Sequence, residues 1–277
     1  MRDIGVHIRL EGSLMSAVQK AARYAIPFFQ CFLVSHKSGK LIRPNHEDIR
    51  NFLLARKQFG DLYVHGSYWI NLATIQHMTH RALHRELYLA KKLEFTHIVV
   101  HPGSAKGAKD KQEAIEALAR AVNTLLAQES VIKLVLENVA HGGMSIGGDL
   151  YDFKHMLAML DAPERVSFCI DTAHAYSYGY DIVDLHEQNK FIQLLDNTIG
   201  INSIALIHLN DTTEQVGSKM DRHEIVGKGL IGNQALKSFI LDDRLKEIPV
   251  LMELPMLSAE EELSVLDLVR SWHKTDI

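Results

Sequence analysis

Eight short apolar runs, rich in β-branched residues, alternate with segments of helical periodicity along the 277-residue chain. The runs end near His7, Leu33, His65, His101, Glu137, Asp171, His208 and Glu253. Strands that alternate with helices through short connections predict a parallel sheet. At this length, eight such units close most economically into a (β/α)8 TIM barrel. Because no linker or low-complexity tract divides the chain, we predict one TIM-barrel domain over residues 1–277.

Helix signals lie between the runs. One predicted helix face consists of Leu14, Ala17, Val18, Ala21 and Ala22. Capping boxes, in which a polar residue precedes a glutamate by three positions, are predicted at Asp110–Glu113, Asp184–Glu187 and Ser258–Glu261. Each of these signals is typical of a helix N-terminus or of a helix that packs on a core.

The composition argues against several classes of protein. No stretch approaches the roughly 18 consecutive apolar residues of a membrane helix, and the N-terminus has no apolar signal segment, so we expect a cytoplasmic protein. Cys31 and Cys169 lie inside apolar runs, which argues against a disulfide framework. The net charge of −4 argues against a generally basic nucleic-acid coat. That charge counts the carboxylates of a metal site without its metal, and three divalent ions would reverse its sign.

Seven of the eight runs end in, or lead directly into, a histidine, aspartate or glutamate. In a barrel all of these ends meet at one mouth, where the strand-to-helix loops build active sites. Two further candidates, Asp221 and His223, follow the seventh run, and His174 lies three residues after Asp171. The complete candidate set is His65, His101, Glu137, Asp171, His174, His208, Asp221, His223 and Glu253.

Taken singly, several of these residues have ordinary explanations. His65 and His101 fit hydrogen-bonded core or turn histidines, and Asp221 with His223 fits a solvated loop. Glu137 and Glu253 each finish a buried strand, where a carboxylate is costly without a cation. Imidazole and carboxylate together suit a borderline divalent ion such as zinc. Nine ligands exceed one tetrahedral ion, so the set predicts a cluster of two or three ions with shared carboxylates.

These residues belong to longer segments that carry a family resemblance. The segments are His65-Gly-Ser-Tyr-Trp-Ile-Asn-Leu, His101-Pro-Gly-Ser, Leu136-Glu-Asn, Cys169-Ile-Asp-Thr-Ala-His, His208-Leu-Asn-Asp, Gly217-Ser-Lys-Met-Asp-Arg-His, Gly227-Lys-Gly-Leu-Ile-Gly and Met252-Glu-Leu-Pro. In order and content they resemble the endonuclease IV family of apurinic/apyrimidinic (AP) endonucleases. The resemblance spans residues 5–255, nearly the whole chain.

The resemblance implies a DNA-repair enzyme that hydrolyses the phosphodiester 5′ to an abasic site in duplex DNA and leaves a 3′-hydroxyl. It implies three zinc ions, with manganese an alternative at one or more sites, held by the nine candidates. Glu137 and Glu253 would be the catalytic carboxylates, and Glu137 would bridge two zincs. Tyr68 and Trp69 would wedge into the duplex, with Lys37 as a further DNA contact. A monomer is expected.

The chain departs from the family pattern at a few positions. Trp69 replaces a more usual aliphatic residue, and Ser35 stands where the family usually has asparagine. Two alternatives stay open, the first because related barrels also place glutamate, aspartate and histidine at their strand ends, the second because of these departures. One is a xylose-isomerase-like sugar isomerase or epimerase, which needs only one or two metals. The other is a DNA-binding homologue that keeps the ligands but does not cleave.

Overall fold

The computed structural model describes residues 2–10, 12–35, 39–75 and 80–273. Its strands are β1 (Ile4–His7), β2 (Phe29–Phe32), β3 (Tyr63–His65), β4 (His97–Val100), β5 (Lys133–Glu137), β6 (Val166–Asp171), β7 (Ile204–His208), β8 (Asp211–Thr212), β9 (His223–Glu224) and β10 (Val250–Met252). Its α-helices are α1 (Leu14–Arg23), α2 (His46–Ala55), α3 (His80–Lys92), α4 (Lys111–Gln128), α5 (Leu150–Leu157), α6 (Thr172–Tyr178), α7 (Leu185–Thr198), α8 (Gly232–Leu241) and α9 (Ala259–Ser271).

Eight of the strands form a closed parallel barrel in the order β1-β2-β3-β4-β5-β6-β7-β10. The barrel closes between the first and last strands, where Gly5 pairs with Leu251. This confirms the predicted TIM barrel. The remaining strands, β8 and β9, form a separate antiparallel ribbon in which Thr212 is opposite His223. His223 therefore lies in a short strand, where the sequence predicted a loop.

The apolar residues form two layers around the barrel wall. The inner layer fills the barrel and consists of Phe28, Tyr63, Val99, Val135, Cys169, Leu206 and Leu251. The larger outer layer lies between the strands and the surrounding helices and includes Leu14 and Ala17 of α1. Because the inner layer is packed with side chains, the barrel interior is a core and not a channel. The polar side chains at the carboxyl ends of the strands lie at the mouth of the barrel, outside this layer.

Helix α1 shows how far the predicted helix signals hold. Ser13 caps it by accepting a hydrogen bond from the backbone N–H of Ser16. Four of the five residues of the predicted face are buried, but Ala22 is exposed, so its place on that face was wrong. At 100° per residue, position 22 has rotated past the edge of the buried stripe.

The three predicted capping boxes differ in outcome. At Ser258–Glu261 both reciprocal bonds form. Asp110 caps α4, but the Glu113 carboxylate accepts from the backbone N–H of Lys109 instead of from Asp110. Asp184 caps α7, whereas Glu187 pairs with Lys190 at 2.7 Å. The predicted cap residues are thus confirmed, while two of the predicted reciprocal bonds were wrong because the glutamates have closer partners. None of the described helices is both long and apolar enough to cross a membrane.

Candidate metal centre

The predicted candidates lie at the carboxyl-terminal mouth of the barrel. His65, Glu137, Asp171 and His208 are the last residues of their strands. His101 and Glu253 each follow a strand by one residue. Parallel strands all end at the same side of a barrel, so residues that are far apart in sequence converge here. The structure brings all nine predicted side chains into one cluster.

Glu137 lies at the centre of this cluster and is fully buried. Its Oε2 lies 3.1 Å from Nε2 of His65 and 3.2 Å from Nε2 of His101. Its Oε1 lies 2.8 Å from Nδ1 of His208 and 3.6 Å from Nδ1 of His174. One carboxylate therefore faces two sets of imidazole nitrogens from opposite sides.

Asp171 joins a second part of the cluster to the start of α6. Its Oδ1 caps that helix by accepting from the backbone N–H of His174 at 2.8 Å. Its Oδ2 lies 3.5 Å from Nε2 of His223. Asp221 Oδ1 lies 3.2 Å from Nε2 of His174 and 3.5 Å from Nε2 of His223. The helical turn and the ribbon thus place these four side chains together.

The donor atoms fall into groups of the size that a metal ion requires. Among the described residues, ligand atoms within 4.8 Å of one another belong to His65–His101–Glu137, Glu137–Asp171–His208–Glu253, Asp171–His174–His223 and Glu137–Cys169–His208. The Nε2 atoms of His174 and His223 are buried and make no hydrogen bond within the described ranges. Buried imidazole nitrogens without partners, beside carboxylates, fit a borderline divalent cation.

Cys169 is the one member of these groups that is not among the nine candidates, and it lies inside an apolar run of the sequence. It lies in the inner core layer of the barrel and is fully buried. Burial raises the pKa of its thiol to about 12. Its side chain packs with the apolar residues of that layer, so this residue fits the packing role better than the ligand role.

Hydrogen bonds to the far side of each ring determine which nitrogen faces the cluster. Nδ1 of His65 lies 2.8 Å from the carbonyl oxygen of the next residue, and Nδ1 of His174 lies 2.9 Å from that of Asn138. Both rings therefore present Nε2 to the cluster. His208 is reversed, because its Nε2 lies 3.2 Å from Oε1 of Gln30. Such outer contacts fix the tautomer and orientation of histidines that bind metals.

Three amide side chains that the sequence reasoning missed hold the carboxylates. Gln30 donates to Oε1 of Glu253 at 2.7 Å. Asn210 donates to Oδ2 of Asp171 at 2.6 Å, and its own oxygen accepts from the backbone N–H of Glu253 at 2.8 Å. Asn138 accepts from the backbone N–H of Asp171 at 2.6 Å. The sequence signal of Gln30 is a polar amide inside an apolar run, whereas Asn138 and Asn210 lie in the motifs Leu136-Glu-Asn and His208-Leu-Asn-Asp, which assigned them no role.

The buried charges are mutually compensated. Burial raises the pKa of Glu137, but the neighbouring rings of His208 and His101 outweigh it and hold that pKa well below the usual value. Burial lowers the pKa of His174, but carboxylates led by Asp171 outweigh it and raise that pKa well above the usual value. Protons on the rings balance the carboxylates here, and a divalent cation would take the place of those protons.

An exposed aromatic pair stands beside the cluster. Tyr68 and Trp69 follow β3 and have 73% and 71% of their surface exposed. The Tyr68 ring centroid lies 6.3 Å from that of His101. A cavity of about 300 Å³ opens between Tyr68 and the cluster, with Glu253 in its lining. Trp69 lines a second cavity of about 620 Å³ on the other side of the turn, together with Glu86. Lys37, the other predicted DNA contact, lies outside the described residues.

A histidine–carboxylate cluster at the mouth of a (β/α)8 barrel defines a class that includes metal-dependent enzymes. The sequence pattern of the family described as xylose isomerase-like TIM barrel matches residues 18–272. Within that class, a protein named probable endonuclease 4 from Campylobacter concisus is 32% identical over 275 residues, covering 96% of this chain and 97% of the relative. An apurinic-apyrimidinic endonuclease from Caenorhabditis elegans is 30% identical over 95% of this chain and 68% of its own length.

This chain is also similar to a solved structure over nearly its whole length. The crystal structure of endonuclease IV from Thermus thermophilus superposes with a TM-score of 0.83 and 29% identity, covering 98% of both chains. The chain belongs to the endonuclease IV family of AP endonucleases, as its sequence motifs indicate.

Proposed function

We propose that this protein is a zinc-dependent DNA-repair endonuclease that hydrolyses the phosphodiester 5′ to an abasic site and leaves a 3′-hydroxyl. The observation that carries the proposal is the position of Glu137. Its two oxygens face separate groups of histidines, and this arrangement lies beside the exposed pair Tyr68 and Trp69. A multi-ion cluster next to an aromatic wedge suits hydrolysis of a phosphate at a distorted point of a duplex.

We propose one ion for each of three groups of side chains. The first group is His65, His101 and Glu137; the second is Glu137, Asp171, His208 and Glu253; the third is His174, Asp221 and His223. Glu137 is shared between the first two groups. The nitrogen and oxygen donors favour zinc, and manganese is the alternative at oxygen-rich positions.

Ions held in these groups would supply Lewis acidity, which lowers the pKa of water and stabilises charge on phosphate oxygens. The chain itself provides position. Glu253 lines the cavity and is held by Gln30 at 2.7 Å, so its carboxylate would orient the attacking water beside the phosphate. Glu137 would fix the relative position of the first two groups, because it contacts both. We propose these two glutamates as the catalytic carboxylates.

The substrate fits the surroundings of the cluster. Tyr68 and Trp69 would enter the gap at the lesion, and Lys37 would add a phosphate contact. An abasic nucleotide has no base to unstack, so turning it out of the helix costs less than for a paired nucleotide. We propose double-stranded DNA as the partner and a monomer as the active form, since the barrel closes with its own strands.

The sugar-isomerase alternative accounts for fewer of these features. One or two metals would leave the third group, His174, Asp221 and His223, without a role. A small sugar would be enclosed in a pocket, whereas Tyr68 and Trp69 have 73% and 71% of their surface exposed. A non-cleaving DNA-binding homologue would have both the third group and the exposed aromatic pair. A cleavage assay distinguishes it from the proposed nuclease.

The experiment is strand cleavage of a duplex with one tetrahydrofuran abasic analogue, comparing the wild type with Glu253→Ala at matched metal content. We expect wild type to cut 5′ to the analogue and the variant to cut little. The analogue cannot undergo β-elimination, so a cut identifies hydrolysis. Absence of cutting by fully metallated wild type would contradict the proposal, and binding without cutting would favour the non-cleaving homologue.

A further inference from the structure

Glu86 on α3 is a buried carboxylate that the metal centre does not use. It is 3% exposed. Within the described part of the chain it makes no ion pair with a lysine or arginine, in contrast to buried Glu129, which pairs with Lys91 at 3.0 Å. Both Glu86 oxygens instead accept from Ser67: Oε2 from its backbone N–H at 3.0 Å, and Oε1 from its hydroxyl at 2.5 Å. Burying a carboxyl group without an opposite charge is costly, and burial raises the pKa of Glu86. Among the described residues, the hydrogen bonds that its oxygens accept come from Ser67.

Ser67 is the residue that starts the turn carrying Tyr68 and Trp69. Its carbonyl oxygen accepts from the backbone N–H of Ile70 at 3.0 Å, which closes the turn. Directly before it, the backbone N–H of Gly66 donates to the carbonyl oxygen of Val99 in the barrel at 2.7 Å. A Cβ on Gly66 would lie 2.6 Å from the Val100 side chain, so no side chain would fit there. The first half of the turn is therefore fixed from both sides.

The other end of the turn is fixed by Asn71. Its amide oxygen accepts from the backbone N–H of Ala73 at 3.1 Å and of Ser104 at 3.2 Å, and its amide nitrogen donates to the Ser104 carbonyl at 3.0 Å. The backbone N–H of Leu72 also donates to the Pro102 carbonyl at 3.0 Å. Between two anchored ends, the exposed side chains are those of Tyr68 and Trp69.

We infer that Glu86 is a positioning residue for this aromatic pair: through Ser67 it holds the turn in the conformation that enters the duplex. The inference rests on the proposed function and extends it to a residue outside the metal centre. A wedge that is already in place loses less conformational entropy when it binds DNA. It also keeps the lesion phosphate aligned with the cluster, and small misalignments are costly to catalysis.

The two tryptophans of the chain allow a direct test of turn conformation by ¹⁹F NMR of protein labelled with 5-fluorotryptophan. Trp69 reports on the turn. Trp272, which is 7% exposed, reports on the folded core. In Glu86→Ala we expect the Trp69 resonance to move towards that of the free amino acid, while the Trp272 resonance stays. Ser67→Ala removes only the hydroxyl contact and should move the Trp69 resonance less.

Two further variants complete the series. Glu86→Gln retains an acceptor for the Ser67 N–H and a group that can bind its hydroxyl, so it should restore the wild-type Trp69 resonance. Asp152→Ala is the control for the loss of a buried carboxylate elsewhere in the fold. Asp152 accepts from the backbone N–H of Gly147 at 3.0 Å in a different loop, and it also pairs with Lys111 at 2.9 Å. Its loss should lower stability without moving the Trp69 resonance.

Cleavage of the abasic duplex is the second readout. We expect kcat/KM of Glu86→Ala to fall by about 10- to 100-fold with metal content unchanged, and Glu86→Gln to stay near wild type. An unmoved Trp69 resonance in Glu86→Ala, or a moved resonance with unchanged cleavage, would overturn the inference. The proposed function fails if the wild type leaves the duplex uncut. In that case the Trp69 resonance still tests whether Glu86 holds the turn.

Discussion

The His208 ring is held between Glu137 and Gln30, with Nδ1 2.8 Å from the carboxylate and Nε2 3.2 Å from the amide oxygen. The amide orientation follows from its other contact, since its nitrogen lies 2.7 Å from an oxygen of Glu253, which can only accept. The amide oxygen must then accept from Nε2–H of His208. At 2.8 Å from a carboxylate oxygen, Nδ1 carries the second proton of a charged ring and donates it to Glu137. When that proton leaves, the lone pair of Nδ1 is directed at the cluster, as binding of a cation requires.

Gln30→Leu should therefore weaken metal binding without removing a ligand. Loss of a contact that orients a ligand typically reduces metal affinity about 10- to 100-fold. Chelator competition followed by metal analysis measures this. The matched control is Gln188→Leu, which removes a buried amide that donates to the carbonyls of Ile182 and Ala235 away from the cluster. That variant should lose stability but keep its metal, and equal metal affinities in the two variants would contradict the role assigned to Gln30.

Metal removal should destabilise the protein more as the pH rises. The pKa of His174 and of His208 is raised well above 6.5 in the folded chain, so the stability that their protons contribute is present at low pH and is lost as the pH rises through the raised pKa values. A metal ion binds the unprotonated rings, and its binding free energy replaces the stability that the protons contribute at low pH. The difference in Tm between zinc-loaded and chelator-treated protein should therefore grow as the pH rises from 6.5 upward. A difference that shrinks over this range would show that these rings do not bind the metal.

Trp69→Ala should weaken binding to a duplex that contains an abasic analogue. Stacking of one aromatic side chain on nucleic-acid bases contributes about 1–3 kcal/mol, or roughly 5- to 150-fold in affinity. Anisotropy titrations in a Glu253→Ala background would measure binding while cleavage is slow. Tyr88→Ala is the control, because Tyr88 is also 71% exposed but lies on α3, outside the turn. If both variants bind as tightly as the parent, the wedge role of Trp69 is wrong.

The site residues that could be predicted from sequence are those whose burial would destabilise an ordinary hydrophobic core. Glu137 ends an apolar strand, where an uncompensated carboxylate would destabilise the fold, so the sequence alone indicates a cation. The alternation of strands and helices then fixes the direction in which every strand end points. Barrel and cluster follow from these two facts together. The structure confirms the barrel, and it places the nine side chains at one mouth. Their role as metal ligands stays a prediction.

The supporting residues could not be predicted in the same way. Gln30, Asn138 and Asn210 carry no charge, and an amide in a strand or loop is common without a function. Their roles depend on partners 33 to 223 positions away in sequence, which only the closed barrel brings within hydrogen-bond distance. Glu86 was missed for a related reason, since its helical position gives no sign that its carboxylate reaches the turn after β3.

Asp211 gives the last prediction, because one buried carboxylate organises the segment that carries Asp221 and His223. It lies in β8 and accepts five backbone hydrogen bonds. Oδ1 accepts from Thr212 and Ile231 at 2.9 and 3.0 Å, and Oδ2 accepts from Gly227, Gly229 and Gly232 at 3.0 to 3.1 Å. Gly229 approaches so closely that a Cβ there would lie 2.4 Å from the carboxylate.

Asp211→Asn keeps the shape of this side chain but places an NH₂ group where one oxygen now accepts at least two N–H donors. Buried donors left without an acceptor cost about 1–3 kcal/mol each, so we expect a loss of about 3 kcal/mol in the free energy of unfolding. For a chain of this size, that loss corresponds to a fall in Tm of about 6–12 °C. Because β8 pairs with β9, the ribbon should loosen as well, and the variant should lose metal from the group that includes His223 first. Calorimetry with metal analysis tests both parts, and a stable variant that keeps all of its metal would show that the ribbon holds its shape without Asp211.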